Sequence, residues 1–107
     1  FGEKRFRELE TQALRELGKR SGAVISTGGG CVTRWENYAP LHQNGRIIWL
    51  RRDTAKLPRD GRPLSQKADL NLLYERRRPL YERFADFTVD NNSAPEETLM
   101  AILEALK

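Results

Sequence analysis

The chain has 107 residues, of which 19 are basic and 15 acidic, for a formal net charge of +4. This length fits one small domain and argues against a second hydrophobic core. The longest uncharged apolar runs, 23–25 and 47–50, are too short to cross a bilayer, and a single cysteine excludes an internal disulfide. Since the chain opens without a secretory leader pattern, we expect a cytoplasmic protein with no membrane partner.

The positive charge is concentrated in the middle of the chain. Residues 46–83 carry eleven basic and five acidic side chains, whereas residues 84–107 carry one and five. Fourteen of the basic residues are arginines, which favour two-pronged recognition of carboxylate or phosphate oxygens, although codon usage is an alternative explanation. The central segment also permits contact with a nucleic-acid backbone. Because no aromatic residues are interleaved with its arginines for stacking, we expect no nucleic-acid partner.

The first half of the chain predicts two helices separated by a strand. Apolar residues at spacings of three and four predict a helix over 3–20, which Gly22 ends. The uninterrupted apolar run 23–27 is typical of a strand buried on both faces. Thr33 and Glu36 have the spacing of a capping box, so a second helix is expected to begin there and to be kinked or divided before residues 44–45.

The second half continues the alternation of strands and helices. The expected elements are a strand over 46–50, a loop over 51–66, a helix over 68–78 that continues past Pro79, a strand over 86–90, and a final helix with Pro95 in its first turn and a capping box of Ser93 and Glu96. Strands that are apolar throughout and alternate with helices predict an α/β fold, with a parallel sheet between flanking layers of helices.

Several residues could carry chemistry in such a fold. Three glycines at 28–30 follow the first predicted strand, at the sheet edge where ligands bind, although flexible turns also use such runs. Arg7 and Glu10 are one helical turn apart, which is also the spacing of an ordinary surface ion pair. Arg77 shares a predicted helix face with Leu73, so it points inward and requires an anionic partner. The cations on the loop 51–66 are typical of a lid that closes over phosphates, although a solvated surface loop is an alternative.

An ordered series of motifs in this chain resembles the C-terminal two-thirds of the shikimate kinase family. The motifs are G-E-x-x-F-R-x-x-E at 2–10, V-I-S-T-G-G-G at 24–30, G-R-P-L at 61–64, R-R-P-L-Y at 77–81, A-D at 85–86 and V-D at 89–90. The resemblance implies a P-loop fold like that of the nucleoside monophosphate kinases. It also implies transfer of the γ-phosphoryl group of ATP, with Mg²⁺, to the 3-hydroxyl of shikimate in aromatic amino-acid biosynthesis.

The resemblance implies a role for individual residues as well. Arg7 and Arg77 match the arginines that hold the shikimate carboxylate, and Glu10 matches the acid that orients the first of them. Arg62 matches the catalytic lid arginine that reaches the transferring phosphate of the nucleotide. The other implied assignments are Gly28, Gly29 and Gly30 to the hydroxyl side of the substrate, Arg59 and Pro95 to the nucleotide, and Ser26 to magnesium through a water molecule.

Two parts of the family pattern are absent from these 107 residues. No G-x-x-x-x-G-K-[ST] phosphate loop occurs, and the aspartate that matches the substrate-hydroxyl base has no counterpart. We therefore expect residues 1–107 to be one incomplete kinase domain without its P-loop strand, inactive alone, with a lid at about 51–66. Exposed strand edges would favour direct pairing of 23–27 with 46–50, a strand borrowed from another copy through self-association, or a further strand between them that is not seen. The parent enzyme is expected to be monomeric or part of a multifunctional pathway enzyme.

Two alternative functions remain open at this point. One is another small-molecule kinase of the same fold, such as a gluconate kinase, against which the two arginines at Arg7 and Arg77 argue. The other is a non-catalytic kinase-like module that binds an anionic metabolite or a nucleic-acid backbone. Backbone binding weakens steeply as salt rises, whereas selectivity for shikimate over a decarboxylated analogue should persist.

Overall fold

The computed structural model describes residues 2–52 and 64–107, and for residues 64–68 it describes the backbone alone. The described elements are helix α1 (Glu3–Leu17), two 3₁₀ turns (Gly29–Thr33 and Trp35–Asn37), helix α2 (Tyr38–His42), strand β1 (Ile48–Arg51), helix α3 (Leu64–Phe84), strand β2 (Phe87–Asp90) and helix α4 (Pro95–Ala105). They form two compact units, Phe1–Ile47 and Ile48–Lys107. None of the described helices combines the length and apolarity needed to cross a membrane.

Helix α1 is the main element of the first unit. Glu3 lies in its first turn and Arg15 in its last, where each complements the helix dipole. Leu14 and Thr11 are buried on its inner face. The helix ends earlier than the predicted 3–20, with Gly18 as its C-cap residue, and the Gly18 N–H donates to the Leu14 carbonyl at 2.8 Å. The amphipathic pattern therefore predicted the helix correctly but placed its end three residues too late.

Gly18 also packs directly on the backbone of α2. A Cβ at this position would overlap the Pro40 carbonyl oxygen and would lie 2.9 Å from its carbon, and backbone atoms cannot rotate away. We expect Gly18→Ala to lower the free energy of unfolding by about 1–3 kcal/mol, the usual cost of overpacking. Gly45→Ala is the matched control, because its Cβ would lie 3.7 Å from the nearest atom, Leu41 O. Urea denaturation midpoints compare the two variants, and equal midpoints would contradict this packing.

The predicted strand over 23–27 is wrong. These residues form no strand, and Val24 has a relative exposure of 101%. The sheet of the described residues contains β1 and β2 alone, so the expected direct pairing of 23–27 with 46–50 is wrong as well. An apolar run becomes a strand only when its backbone N–H and C=O groups pair with a neighbouring strand. The hydrophobic pattern of 23–27 alone cannot show whether such a partner strand is present.

The sheet lies in the second unit, where β1 and β2 are parallel. Their register places Ile48 opposite Phe87 and Arg51 opposite Asp90. Helix α3 is the crossover between them, since parallel strands cannot be joined by a tight turn. Val89 is buried on the sheet. These two strands confirm the predictions for 46–50 and 86–90 within two residues, and they confirm the parallel α/β fold class.

In the first unit, two 3₁₀ turns and the short helix α2 stand where a capped helix was predicted. Thr33 does not cap a helix; its Oγ1 donates to the Gly30 carbonyl at 2.6 Å, within the first 3₁₀ turn. Glu36 accepts from Arg34 Nε at 2.9 Å instead of bonding back to Thr33. The expected division into two short pieces is confirmed by the second 3₁₀ turn and α2. Pro40 is tolerated because it lies in the first turn of α2.

Helices α3 and α4 also differ from their predictions at their ends. Helix α3 begins before the predicted residue 68 and runs through Pro79 without interruption to Phe84. The capping box of Ser93 and Glu96 is wrong, because the N-cap of α4 is Ala94 and makes no side-chain cap hydrogen bond. Pro95 takes the first helical position, where its missing N–H costs no hydrogen bond.

Candidate functional site

Arg7 is held in place by two carboxylates on its own helix. Its Nε donates to Glu3 Oε1 and its Nη1 to Glu10 Oε1, both at 2.8 Å. The side chain is 16% exposed. The hydrogen bond to Glu10 raises the pKa of Arg7, partial burial lowers it, and the bond to Glu3 raises it again, so that the pKa is raised overall. Sequence reasoning assigned Glu10 to this role and missed Glu3, which the i,i+4 spacing could have indicated.

The two carboxylates orient Arg7 without using all of its donors. A guanidinium group has five N–H donors, of which Glu3 and Glu10 take two. The other three donate to no residue in the described ranges. The Phe6 ring supports the group from one side, 5.0 Å from Cζ to the ring centroid. Arg7 is therefore a fixed cation with hydrogen-bonding capacity left for an anionic ligand.

The glycine run lies against this guanidinium. A Cβ at Gly30 would lie 2.5 Å from Cζ of Arg7, so only glycine lets the group pack on the backbone here. A Cβ at Gly28 would lie 3.6 Å from Glu10 Oε2. Gly29 begins the first 3₁₀ turn. The structure therefore brings together Arg7, Glu10 and the glycines at 28–30, residues that are about twenty positions apart in sequence.

Three side chains make hydrogen bonds in and beside the glycine run. Asn37 has no exposed surface and donates its Nδ2 to the Cys31 carbonyl at 2.8 Å. The Thr33 hydroxyl donates to the Gly30 carbonyl. Cys31 is 4% exposed, its Sγ lies 3.5 Å from Thr27 Oγ1, and burial raises the pKa of its thiol. Asn37 is a positioning residue that sequence reasoning missed, because an asparagine between helix-forming residues carries no signal of burial.

Metal-ligating side chains are not clustered in the described part of the chain. Mg²⁺ prefers several oxygen ligands in octahedral geometry. No group of three His, Cys, Asp or Glu side chains that could hold a metal ion occurs among residues 2–52 and 64–107, as far as their side chains are described. Ser26 is exposed and offers a single hydroxyl. The implied contact of Ser26 with magnesium through a water molecule stays a prediction.

In the second unit, the three consecutive arginines of α3 differ in their surroundings. Arg78 is paired with Glu75 at 3.9 Å and with Glu82 at 3.5 Å. Arg76 is exposed, whereas Arg77 is half-buried. No acidic side chain in the described part of the chain forms an ion pair with Arg77. A half-buried guanidinium without such a partner is suited to binding an anionic ligand.

A cavity of about 500 Å³ lies at the carboxyl ends of β1 and β2. Its lining includes three arginines, Arg51, Arg52 and Arg78, which outnumber the two acidic residues Glu75 and Asp90, together with Asn92. This is the edge at which ligands bind in parallel sheets, and the arginines make it suitable for an anion. The sequence predicted a ligand contact near Pro95, just beyond this edge, but did not identify the cavity residues.

The predicted lid lies mostly outside the described residues. Arg59 and Arg62 both belong to the range 53–63, which the structure does not describe. Arg51 belongs to β1, and α3 begins at Leu64, so both ends of the predicted loop 51–66 are parts of regular elements.

Comparisons with known proteins identify the family. The family model for shikimate kinase matches residues 1–107. A shikimate kinase of Parasynechococcus marenigrum is 41% identical over 98% of this chain and 58% of its own length. One from Burkholderia thailandensis is 40% identical over 83% of this chain and 53% of its own length. The chain thus spans little more than half the length of these relatives.

Two solved structures have the same fold. A shikimate kinase from Acinetobacter baumannii, in complex with shikimate, has a TM-score of 0.82 and 34% identity, over 98% of this chain and 64% of that one. A shikimate kinase from Bacteroides thetaiotaomicron has a TM-score of 0.80 at 24% identity, over 98% of this chain and 69% of that one, which supports the fold alone. The predicted fold like that of the nucleoside monophosphate kinases is thereby confirmed, and the chain belongs to the shikimate kinase family.

Proposed function

We propose that this chain is part of an enzyme that transfers the γ-phosphoryl group of ATP to the 3-hydroxyl of shikimate, which yields shikimate 3-phosphate and ADP. The observation that carries the proposal is the guanidinium of Arg7, which two carboxylates orient and which packs on Gly30. The shikimate bound by the Acinetobacter baumannii relative supports the choice of substrate.

Recognition of the substrate carboxylate falls to Arg7 and Arg77. Shikimate is a small anion, and a charge-assisted hydrogen bond contributes roughly 1.5–3 kcal/mol to its binding. Within the described ranges, three N–H groups of Arg7 donate to no residue, and Arg77 is half-buried with no acidic partner. The backbone at Gly28, Gly29 and Gly30 would contact the hydroxyl side of the same molecule.

Phosphoryl transfer requires further residues. A cation on the equatorial oxygens stabilises the loose transition state, and Arg62 is the residue we assign to this catalytic role. Arg59 and Pro95 are assigned to the nucleotide, and Ser26 to magnesium through water. Mg²⁺ bound with ATP would neutralise phosphate charge. Since the 107 residues contain no G-x-x-x-x-G-K-[ST] motif, we do not expect them to turn over substrate by themselves.

The test is shikimate-dependent release of ADP by the natural full-length protein. We expect ADP release to require shikimate, and the value of kcat/KM to fall at least about tenfold for an analogue that lacks the carboxylate, because one charge-assisted contact is worth at least this much. Gluconate serves as the control substrate of a kinase of similar fold. Equal efficiency with the decarboxylated analogue, or a preference for gluconate, would overturn the proposal.

A further inference from the structure

Residues 91–94, which we term the β2–α4 loop, are anchored at Asn91 by two hydrogen bonds. The backbone N–H of Asn91 donates to the Arg51 carbonyl at 2.8 Å, which continues the pairing of β2 with β1 by one residue. The side-chain carbonyl of Asn91 accepts a hydrogen bond from Thr98 Oγ1 at 2.7 Å. Asn91 is therefore tied to the sheet through its backbone and to α4 through its side chain.

The hydroxyl of Thr98 donates its hydrogen bond to an unusual acceptor, the side-chain carbonyl of Asn91. A buried threonine in a helix ordinarily donates to the carbonyl four residues earlier, here Ala94 O, which lies 3.5 Å away. The hydroxyl has one proton, and the much shorter distance to Asn91 Oδ1 assigns that proton to the loop. Ala94 O already accepts the backbone N–H groups of Glu97 and Thr98, at 3.0 and 3.2 Å. Thr98 is 6% exposed, so no solvent competes for the bond.

The residues on either side of Asn91 face the cavity at the strand ends. Asp90 and Asn92 both line it, and Asp90 Oδ1 accepts hydrogen bonds from the backbone N–H and the side-chain amide of Asn92, at 2.9 and 2.5 Å. Arg51, whose carbonyl anchors Asn91, lines the same cavity. A shift of Asn91 would therefore move three groups of the cavity wall together.

We propose that Thr98 and Asn91 are positioning residues for the nucleotide, and that their hydrogen bond holds Asp90 and Asn92 in the geometry that binds the adenine nucleotide of ATP. This inference rests on the proposed function for the identity of that ligand. Thr98 itself touches no ligand, since it does not line the cavity and acts through Asn91. The carboxyl end of a parallel strand is the position at which a nucleotide is expected.

The experiment compares Thr98→Val, which removes the hydroxyl at nearly constant volume, with Thr98→Ser, which retains it. In the natural full-length protein, ADP binding is measured by calorimetry, and KM is measured for ATP and for shikimate. Thr98→Val is expected to weaken ADP binding and raise the KM for ATP about three- to tenfold, the range of one lost hydrogen bond. The KM for shikimate should stay within about twofold, and Thr98→Ser should restore ADP binding.

Three results would overturn the positioning role: a folded Thr98→Val protein that binds ADP as the wild type does, equal losses in the valine and serine variants, or parallel increases in KM for both substrates. If Thr98→Val does not fold, Asn91→Ala tests the same bond, since it leaves Thr98 free to donate to Ala94 O. A wild-type protein that binds ADP without phosphorylating shikimate would refute the proposed function, while the ADP series would still decide the role of Thr98. A wild-type protein that binds no ADP would refute both.

Discussion

Gly30→Ala is expected to raise the KM for shikimate about 10- to 100-fold, because one charge-assisted contact and its geometry are lost, while the free energy of unfolding changes little. The added Cβ would meet the guanidinium of Arg7, with 2.5 Å to Cζ. Because this group is the far end of a flexible side chain, Arg7 rather than the backbone would move. Its bonds to Glu3 and Glu10 would then lose their present geometry. The substitution therefore separates the orientation of Arg7 from folding.

Backbone conformation does not oppose this substitution. Among the described residues, positive φ occurs at Gly22 and not at Gly30, so alanine fits the Gly30 backbone without strain. Steady-state kinetics with varied shikimate, together with thermal unfolding, measure the two effects. Gly45→Ala is the control, since it adds the same methyl group away from Arg7 and should leave both quantities near those of the wild type. An unchanged KM for shikimate in Gly30→Ala would show that the packing of Arg7 on Gly30 has no part in substrate binding.

Local sequence signals predicted the regular elements of this chain well. The periodicity of apolar residues identified α1, α3 and α4, and the β-branched runs identified β1 and β2, each within a few residues of its observed bounds. The failures concern the strand over 23–27, the two capping boxes and the ends of helices. Residues 23–27 pair with no strand among the residues that the structure describes. The hydroxyl of Thr33 bonds to Gly30 instead of capping a helix, because the glycine run turns as a 3₁₀ segment.

The sequence predicted only part of the candidate site, because some of its contacts join residues that are far apart in the chain. Arg7 and Glu10 are neighbours on one helix face, so their pairing could be predicted from spacing. The approach of Arg7 to Gly30 joins residues far apart in sequence, and no local rule predicts it. Asn37 and Thr98 act by burial of one polar side chain against a distant backbone or amide group. Such contacts follow from tertiary packing, which the residue types alone do not predict.

Arg77→Ala is expected to raise the KM for shikimate about 10- to 150-fold with a smaller effect on kcat, because one charge-assisted contact to the carboxylate is lost. Arg77 is half-buried, and within the described ranges no carboxylate forms an ion pair with it. Its removal therefore leaves no acidic group there unpaired, and the variant should fold as the wild type does. Arg76→Ala is the matched control, since it removes the same charge from an exposed neighbour on the same helix.

Comparing shikimate with its decarboxylated analogue in Arg77→Ala tests directly whether Arg77 contacts the carboxylate. If Arg77 binds the carboxylate, Arg77→Ala should reduce kcat/KM for shikimate and leave that for the analogue nearly unchanged, since the analogue has no group for Arg77 to bind. Arg76→Ala should affect neither. A long-range effect of the lost charge would instead lower both values together and would weaken as salt rises. Equal losses for shikimate and analogue in Arg77→Ala would assign the carboxylate to another residue, and Arg7 would then be the remaining arginine of the pair.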